Sequence, residues 1–342
     1  MKLALELAER GLVPERAVRA GIRRLLRNRI DEETARGRSI AEWAAAMAAS
    51  DVALRTADAN AQHYEMPPEF FELVLGTHLK YSSGYWPPGV TTLDGAESAM
   101  IDLTIERAAL ADGQRILELG CGWGSLTLSM ARRFPGSRIV AVSNSSRQRE
   151  FIRRRAADAG IANLDVVTAD MNTFAPDGSF DRVVSVEMFE HMRNWQALLG
   201  RIHRWLAPGG ALFVHVFAHA RFAYPFETDG DDDWMARHFF SGGMMPSDDL
   251  LPSIASPFQV EGHWRVDGTH YARTAEAWHD RLLLRRAEVM RLFRREFGSR
   301  DARLLFHRWR MFFLACAELF AWRDGAEWFV AHYRLRRGSE SP

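Results

Sequence analysis

The stretch "ILELGCGWGSLTL" (residues 116–128) has the pattern of a buried strand that runs into a glycine-rich turn and then a helix. A short apolar run ends near the acidic Glu118 and enters three closely spaced glycines, Gly120, Gly122 and Gly124, before a helical pattern begins. Glycines let a backbone turn tightly and approach a ligand closely, and a helix N-terminus presents free N–H groups. Ligands of open parallel sheets bind at the carboxyl ends of the strands. The stretch therefore predicts a nucleotide site.

The glycine spacing is GxGxG, which matches the dinucleotide fingerprint GxGxxG only imperfectly. Glu118 lies two residues before the first glycine, where it would repel a pyrophosphate. A P-loop is excluded because no Gly-Lys-Ser/Thr follows. A carboxylate at this position suits a cationic ligand, and S-adenosylmethionine carries an ammonium and a sulfonium group. A glycine turn without a ligand is the alternative.

Strands and helices alternate outward from this stretch. Strands are predicted over 115–119, 138–143, 164–169, 180–187 and 211–217, and helices over 124–134, 146–160 and 195–206. Nearly continuous apolar strands in such alternation indicate a parallel sheet covered on both faces. Further strands are predicted over 258–266 and 327–337, the last as an antiparallel edge strand, and a helical hairpin over 274–321.

Composition narrows the class of protein. The 342 residues carry 44 basic and 44 acidic side chains, and this zero net charge argues against a general nucleic-acid binder. Two cysteines, Cys121 and Cys316, predict a reducing, cytoplasmic location. The first ten residues lack the apolar core of a signal peptide, and the apolar run 311–320 is about half the ~20 residues that span a bilayer. No transmembrane segment is expected.

Residues 11–30 form a basic amphipathic pattern with Pro14 near its start. Such a helix contacts a membrane surface or closes a site in some proteins. In others it packs on the main domain with its arginines in solvent. The sequence leaves both interpretations open.

The segment "SVEMFEHM" (185–192) places Glu187, Glu190 and His191 at the end of the fourth strand. Spacings of three and four residues would put these groups on one face of a helical turn. Two carboxylates would raise the pKa of the imidazole and attract a cationic amine. A capping or core role is the alternative for Glu190 and His191.

No metal site is expected. The HxxEH motif would need histidine at 187, where this chain has glutamate. The acidic segment 228–234 lacks the glycine and glutamate of an EF-hand and is expected to be a solvated turn.

Polar residues also follow the second and third predicted strands. Asn144 and Gln148 follow the second strand, and Asp170 and Met171 follow the third. Asp170 could accept a hydrogen bond from an adenine amino group, and Met171 could cover the ring. For either residue alone, a cap or a core position is equally reasonable.

Five motifs carry a resemblance to a known family: "LELGCGWGSLTL", "VSVEMFEHM", "FFSGGMMPS", "HYARTAEAW" and "AELFAWRDGAEWFVAH". They resemble the cyclopropane-fatty-acid-synthase superfamily of S-adenosylmethionine-dependent methyltransferases, and within it the coclaurine N-methyltransferase-like proteins. The resemblance implies an α/β fold, a Rossmann-like seven-stranded methyltransferase sheet with a helical N-terminal extension and helical lid insertions. The extension would be 1–75 and the methyltransferase domain 76–342, with 218–255 and 274–321 as lid and acceptor-pocket elements.

The resemblance also implies roles for individual residues. It places Tyr81 and Ser82 at the methionine carboxylate, Gly120, Gly122, Gly124 and Glu118 at the methionine portion, Asn144 and Gln148 at the ribose, and Asp170 and Met171 at the adenine. It places Glu187 near the sulfonium, and it implies a catalytic role for Glu190 and His191.

Two departures separate this chain from the cyclopropane synthases. Those enzymes resemble it around "YSCAYF", where this chain has Ser83 in place of the cysteine, and they carry "EHVGxKNY" where it has "EHMRNW". They use a bicarbonate ion as base, and the departures count against that chemistry here. The resemblance therefore implies methyl transfer to the nitrogen of a hydrophobic small-molecule amine, with a Glu/His general base. Methyl transfer to an unsaturated acyl lipid, as in cyclopropane-fatty-acyl-phospholipid synthases, is the alternative.

The acceptor pocket is expected to be aromatic because an aromatic ring face attracts a cationic amine. Tyr224, Trp234, Phe240 and Trp328 are candidates, each with a plain core position as the alternative. His215, at the end of the fifth strand, is expected to face the same cleft. The predicted partners are an amine or lipid substrate, peripheral membrane contact through 11–30, and a second copy in a homodimer.

Overall fold

The structure is a computed structural model and describes residues 2–54, 66–226, 234–254 and 257–338. Most of the acidic segment predicted as a solvated turn, 228–233, lies outside these residues.

A seven-stranded sheet forms the centre of the described structure. Its strands are β1 (Arg115–Leu119), β2 (Arg138–Ser143), β3 (Leu164–Thr168), β4 (Phe180–Val186), β5 (Leu206–His219), β8 (Phe258–Val266) and β9 (Trp328–Arg337). Two short strands, β6 (Tyr224–Pro225) and β7 (Met244–Met245), pair separately. The order in the main sheet is β3-β2-β1-β4-β5-β9-β8. This confirms the predicted Rossmann-like methyltransferase sheet.

The first five strands of this sheet are parallel, and β9 is antiparallel to both of its neighbours. The prediction of β9 as an edge strand is wrong, because β9 lies between β5 and β8 and β8 forms the edge. The burial pattern agrees, since β9 is buried along most of its length and β8 is largely exposed. Strand order reverses between β1 and β4, which is where an open α/β sheet binds its ligand.

Helices cover both faces of the sheet. They are α1 (Lys2–Glu9), α2 (Glu15–Arg36), α3 (Ile40–Ala48), α4 (Pro68–Val74), α5 (Leu93–Arg107), α6 (Ser125–Arg133), α7 (Ser146–Asp158), α8 (Trp195–Trp205), α9 (Trp234–Phe239), α10 (Leu250–Ile254), α11 (Gly268–Leu284) and α12 (Arg286–Phe320), with 3-10 turns at Phe189–His191 and Trp322–Gly325. None of the helices in the described ranges is both long and apolar enough to cross a membrane.

Helix α2 packs against the hairpin formed by α11 and α12. Its buried apolar residues Val18 and Ile30 share a hydrophobic cluster with that hairpin. Arg19 donates to Glu276 at 2.8 Å and to Glu318 at 3.0 Å, so part of its basic face is also engaged. Part of the apolar face that would enter a membrane surface is therefore buried inside the protein, whereas Leu12 is exposed, and membrane contact through 11–30 stays a prediction.

Candidate active site

A cavity of about 240 Å³ opens at the carboxyl ends of β1 and β4. One end is lined by the loops after β1, β2 and β3. The other is lined by side chains from the β5–α9 region and the helical hairpin. Fourteen of the eighteen predicted site residues lie in or directly beside this cavity. Thirteen line it: Tyr81, Ser82, Glu118, Gly120, Gly122, Asn144, Gln148, Asp170, Met171, Glu187, Glu190, His191 and Phe240, and Gly124 borders it as the N-cap of α6.

The glycine turn after β1 needs its glycines for two different reasons. Gly120, Gly122 and Gly124 all have positive φ, which is strained for other residues. A Cβ on Gly120 would come within 2.7 Å of the Met188 side chain, so packing also demands glycine there. A Cβ on Gly122 would meet nothing within 4 Å. Gly122 thus borders open cavity, as expected where a backbone passes beneath a ligand.

Glu118 is a buried carboxyl group on the wall of the cavity. Its Oε2 accepts a hydrogen bond from the Thr127 hydroxyl on α6, and burial raises its pKa to about 8. A cation bound beside a buried carboxyl group in this state would favour its carboxylate form. The group is therefore suited to the ammonium of S-adenosylmethionine, and this role of Glu118 stays a prediction.

Residues after β2 and β3 complete this end of the cavity. Ser143 donates from Oγ to Gln148 Oε1 at 2.6 Å, which fixes the glutamine amide. Asp170 accepts from the Asn172 backbone N–H through Oδ1 at 2.7 Å, so one of its oxygens caps its own turn. Met171 is buried and lines the cavity. This arrangement fits a nucleoside, with amide and carboxylate groups beside an apolar wall.

The residues of "SVEMFEHM" do not share one helical turn. Glu187 leaves β4 with a φ of 46°, and only Phe189–His191 form a 3-10 turn. The Trp195 indole holds this loop by donating to the carbonyls of Phe189 at 2.8 Å and Met192 at 3.0 Å. A left-handed non-glycine residue is a strained feature that is found often at functional sites. The predicted common face is therefore replaced by a strained turn that still points Glu187, Glu190 and His191 into the cavity.

Glu187 is the most heavily hydrogen-bonded carboxyl group of the site. Its Oε1 accepts from the Ser83 backbone N–H at 3.0 Å and lies 3.2 Å from His215 Nε2, and its Oε2 accepts from the Tyr271 hydroxyl at 2.7 Å. Burial raises its pKa, while the Lys80 ammonium and these donors oppose that rise. Hydrogen bonds from several donors favour the ionised form of a carboxyl group.

Lys80 is fully buried on the cavity wall, and it was not among the predicted site residues. Its Nζ donates to the Ser82 hydroxyl, and burial lowers its pKa to about 8 against the opposing effects of Glu187 and Glu97. Tyr271 was also not predicted, although it lies in the quoted motif "HYARTAEAW". The tyrosine hydroxyl within this motif was the feature that could have indicated a role for Tyr271 in the site.

Glu190 has a different environment from Glu187. The residue is fully buried and lines the cavity, and neither of its carboxyl oxygens has a hydrogen-bond partner within the described ranges. Burial and the neighbouring Glu187 raise its pKa well above the usual range. Beside it, the His191 ring stacks on Phe240 with centroids 4.4 Å apart. An unpartnered buried carboxyl group next to an aromatic stack is suited to a cation that arrives as a ligand.

Side chains of the segments 218–255 and 274–321 line the other end of the cavity, mostly at positions that were not predicted, and the role of these segments as lid and acceptor pocket stays a prediction. The apolar lining there includes Phe217, Phe226, Met235, Phe240, Met245, Trp278, Phe312, Cys316, Leu319 and Phe320. Phe240 is the only one of the predicted substrate residues among them.

Four predicted substrate contacts need correction, because Tyr224, Trp234, Trp328 and His215 do not line the cavity. Trp328 is fully buried and donates to the Tyr224 hydroxyl at 3.0 Å, so both belong to the core behind the pocket. Trp234 donates to Glu9 of α1 at 2.8 Å. His215 lies behind Glu187 rather than in the cleft.

No group of three or more metal-ligating side chains occurs in the part of the chain that the structure describes. The His191 ring stacks on Phe240. The functional groups of the site are its carboxyl groups, histidines and aromatic rings.

Comparisons with known proteins agree with this geometry. Residues 53–326 match the family described as "Mycolic acid cyclopropane synthetase". The (S)-coclaurine N-methyltransferase of Thalictrum flavum subsp. glaucum is 38% identical over 280 residues, covering 81% of this chain and 78% of that protein. A crystal structure of coclaurine N-methyltransferase bound to N-methylheliamine and SAH superposes with a TM-score of 0.92 at 34% identity, covering 97% of this chain and 98% of the other.

A cyclopropane-fatty-acyl-phospholipid synthase of Escherichia coli (strain K12) is more distant. It is 29% identical over 276 residues, covering 80% of this chain and 67% of that enzyme.

Proposed function

This chain belongs to the mycolic acid cyclopropane synthetase family and is an S-adenosylmethionine-dependent methyltransferase, and we propose that it methylates the nitrogen of a hydrophobic small-molecule amine. The observation that carries the proposal is the Glu190 carboxyl group, which is buried at the aromatic end of the cavity and has no hydrogen-bond partner among the described residues. A neutral acyl chain would leave that carboxyl group unsatisfied, whereas an ammonium group would pair with it.

The relatives support the choice of acceptor. The protein superposed at a TM-score of 0.92 is bound to N-methylheliamine, and the relative at 38% identity is named for N-methylation of (S)-coclaurine. The apolar and aromatic lining, including Phe240, Trp278 and Phe312, suits a ring-bearing acceptor of that class.

Bound S-adenosylmethionine supplies an activated methyl group on a sulfonium centre. The chain's own residues have three tasks: to hold the acceptor nitrogen in line with that methyl group, to exclude water and to take up the proton that the ammonium must lose. Glu190 binds the incoming ammonium, and Phe240 and Trp278 exclude water around it. Glu187, fixed by Ser83 and Tyr271, holds a negative charge beside the reacting centre.

His191 is the group that takes up the proton in this proposal. It lines the cavity directly after Glu190, and its ring is oriented by the stack on Phe240. Once the proton is on the imidazole, the amine nitrogen has a lone pair and forms its bond to the methyl carbon as that carbon leaves the sulfur. A cation beside Glu190 favours its ionised form in spite of burial, and the carboxylate then stabilises the imidazolium that results.

Acyl-lipid methylation is the second candidate, favoured by the family match and the Escherichia coli relative. Ser83, which replaces the cysteine of the cyclopropane synthases, donates its hydroxyl to the Gly84 carbonyl at 3.0 Å, and its backbone N–H binds Glu187. The Ser83 hydroxyl is thus hydrogen-bonded to the backbone and does not point to a ligand.

The test offers methyl-labelled S-adenosylmethionine together with a panel of cyclic secondary amines and vesicles of unsaturated phospholipid. We expect label in the amines. We also expect Glu190→Gln to lower kcat/KM for the amine about 10- to 100-fold, the size of a lost hydrogen bond to a charged group, with cofactor affinity unchanged. Asp158→Asn, at an exposed position of α7, serves as the matched control. Label in extracted lipid alone, or a Glu190→Gln enzyme with the wild-type rate, would overturn the proposal.

A further inference from the structure

A chain of four side chains runs from the surface-facing side of the sheet to the active-site carboxyl group. Arg107 Nη1 lies 2.9 Å from His332 Nδ1, His332 Nε2 lies 2.9 Å from His215 Nδ1, and His215 Nε2 lies 3.2 Å from Glu187 Oε1. Each of the four residues comes from a different element, since Arg107 ends α5, His332 lies on β9, His215 on β5 and Glu187 follows β4.

The sheet itself brings the two histidines together. His215 and His332 are directly opposite each other in the antiparallel β5–β9 pair, and Trp264 of β8 is opposite His332 on its other side. Opposed residues of neighbouring strands project to the same face, so the three side chains form one cross-strand row. The Arg107 guanidinium lies over the Trp264 ring at 5.2 Å and reaches the row from α5.

The chemistry of arginine fixes the direction of every hydrogen bond in this chain. A guanidinium group only donates, so His332 must accept at Nδ1 and carry its proton on Nε2. His332 then donates to His215 Nδ1, which leaves the proton of His215 on Nε2, facing Glu187. Both histidines are fully buried and their pKa values lie well below the ordinary range because of burial, so both are neutral with one proton each.

We propose that His332 and Arg107 are positioning residues for Glu187: they select the His215 tautomer that donates to its carboxylate and so hold this group ionised beside the bound cofactor. The part of this inference that concerns turnover rests on the proposed function. The part that concerns the tautomers is independent of any substrate.

The alternative tautomer shows why the selection matters. If His215 carried its proton on Nδ1, its Nε2 would face Glu187 as an acceptor, and the carboxyl group would have to be protonated at Oε1 to fill that contact. Oε1 also accepts from the Ser83 N–H, which disfavours a proton there. Without Arg107 and His332, His215 would no longer be held as a donor to Glu187. Because a donor stabilises the ionised carboxylate, its loss should raise the pKa of Glu187.

Several other groups act on Glu187 and contribute to any pH profile. Within the described residues these are the Lys80 ammonium, the neighbouring Glu190, the Tyr271 hydroxyl from α11 and the Cys316 thiol from α12. The substitutions below leave all four unchanged, so differences between variants report the chain from Arg107 rather than these groups.

The first measurement reads the tautomers directly. In protein labelled with ¹⁵N-histidine, long-range ¹H–¹⁵N correlation spectra distinguish Nδ1–H, Nε2–H and doubly protonated rings. His215 and His332, assigned by loss of signal in His215→Gln and His332→Gln, are expected as neutral Nε2–H forms. His332→Leu keeps the Arg107 charge but breaks the chain, and it should release His215 from the single Nε2–H form. An Nδ1–H or doubly protonated His215 in the wild-type protein would overturn the proposal, whatever the enzyme methylates.

The second measurement is the pH dependence of kcat/KM for an amine that the enzyme methylates. Arg107→Met and His332→Leu remove the directed donor, and we expect the acidic limb to move up by about one pH unit, the effect of one hydrogen bond to a charged group. Arg107→Lys retains a charged donor. His332→Gln can accept from Arg107 and donate to His215, so both conservative variants should keep the wild-type limb.

A purely structural role would give a different pattern. It would lower the thermal midpoint in all four variants and leave the position of the acidic limb unchanged. That result would overturn the proposal, and so would an equal shift of the limb in the conservative and the disruptive variants. An enzyme inactive on every amine, but with His215 in the directed tautomer, would contradict the proposed function and leave this inference supported.

Discussion

Tyr271 donates a hydrogen bond of 2.7 Å to Glu187 Oε2 across a separation of 84 residues. The tyrosine comes from the first helix of the hairpin, and the carboxyl group comes from the strained turn after β4. The contact joins the segment that covers the cavity to the sheet that carries the charged groups. It therefore ties the helical hairpin directly to Glu187.

Removal of that donor gives the first prediction. Tyr271→Phe retains the stack on Phe320, whose centroid lies 4.1 Å away, and removes only the hydroxyl. A lost hydrogen bond to a charged group corresponds to about 10- to 100-fold, and we expect this loss in kcat/KM for the amine. Calorimetric titration with S-adenosylmethionine should show little change in affinity. A wild-type kcat/KM would mean that Tyr271 has no part in holding Glu187.

Glu118 should make stability fall with increasing pH. Its pKa is raised by burial from 4.5 to about 8, so the folded state holds the proton more tightly than the unfolded state between these values. The free energy of unfolding therefore decreases as pH rises through this window. Glu118→Gln removes this contribution. Between pH 5 and pH 8, the free energy of unfolding measured with urea should then decrease less than in the wild type, by an amount on the order of a few kcal/mol. Identical slopes in variant and wild type would contradict the assignment.

Ligand binding should release a proton from the same group. At pH 7 Glu118 is mostly protonated, and an ammonium beside it favours the carboxylate. S-adenosylhomocysteine keeps the ammonium and lacks the sulfonium, so it isolates this site from Glu187 and Glu190. Its binding enthalpy at pH 7 should vary with the ionisation enthalpy of the buffer, with a slope approaching one proton released. The slope should vanish in Glu118→Gln, and a slope unchanged by that substitution would assign the proton elsewhere.

The corrected acceptor pocket can be tested with a pair of aromatic substitutions. Phe240 lines the cavity and stacks on His191, whereas Trp328 is buried behind it against Tyr224. Phe240→Ala should raise KM for the amine about tenfold, in line with a lost cation–π contact and apolar contact area. Trp328→Phe should leave KM unchanged and lower the thermal midpoint, since it loses a buried hydrogen bond. The opposite pattern would restore Trp328 as a substrate contact.

The cofactor end of the site was predictable from the sequence because it is local. Gly120 and Gly122 are adjacent to the strand that positions them, and Asn144 and Asp170 follow strands whose apolar runs are unambiguous. Since parallel strands end at one edge, these residues had to meet. At the other end of the cavity, the sequence predicted which segments would be involved but not which of their residues line the cavity. Its lining depends on the direction in which each aromatic side chain of 218–255 and the hairpin projects, and no periodic pattern gives that direction for residues in loops and short helices.

The parallel strands, the glycine turn and the concentration of charge at "SVEMFEHM" could be predicted, because each depends on residues close together in the chain. The remaining features depend on contacts between elements that are far apart in sequence. The tertiary structure placed β9 inside the sheet, so that His332 meets His215. It gave Glu187 hydrogen bonds from Ser83 and Tyr271 and a contact with His215, whereas Glu190 has no hydrogen-bond partner among the described residues. Burial and hydrogen bonding set the protonation of these groups, and both come from side chains on elements far apart in sequence. Two glutamates three residues apart therefore differ in ways that their sequence positions do not reveal.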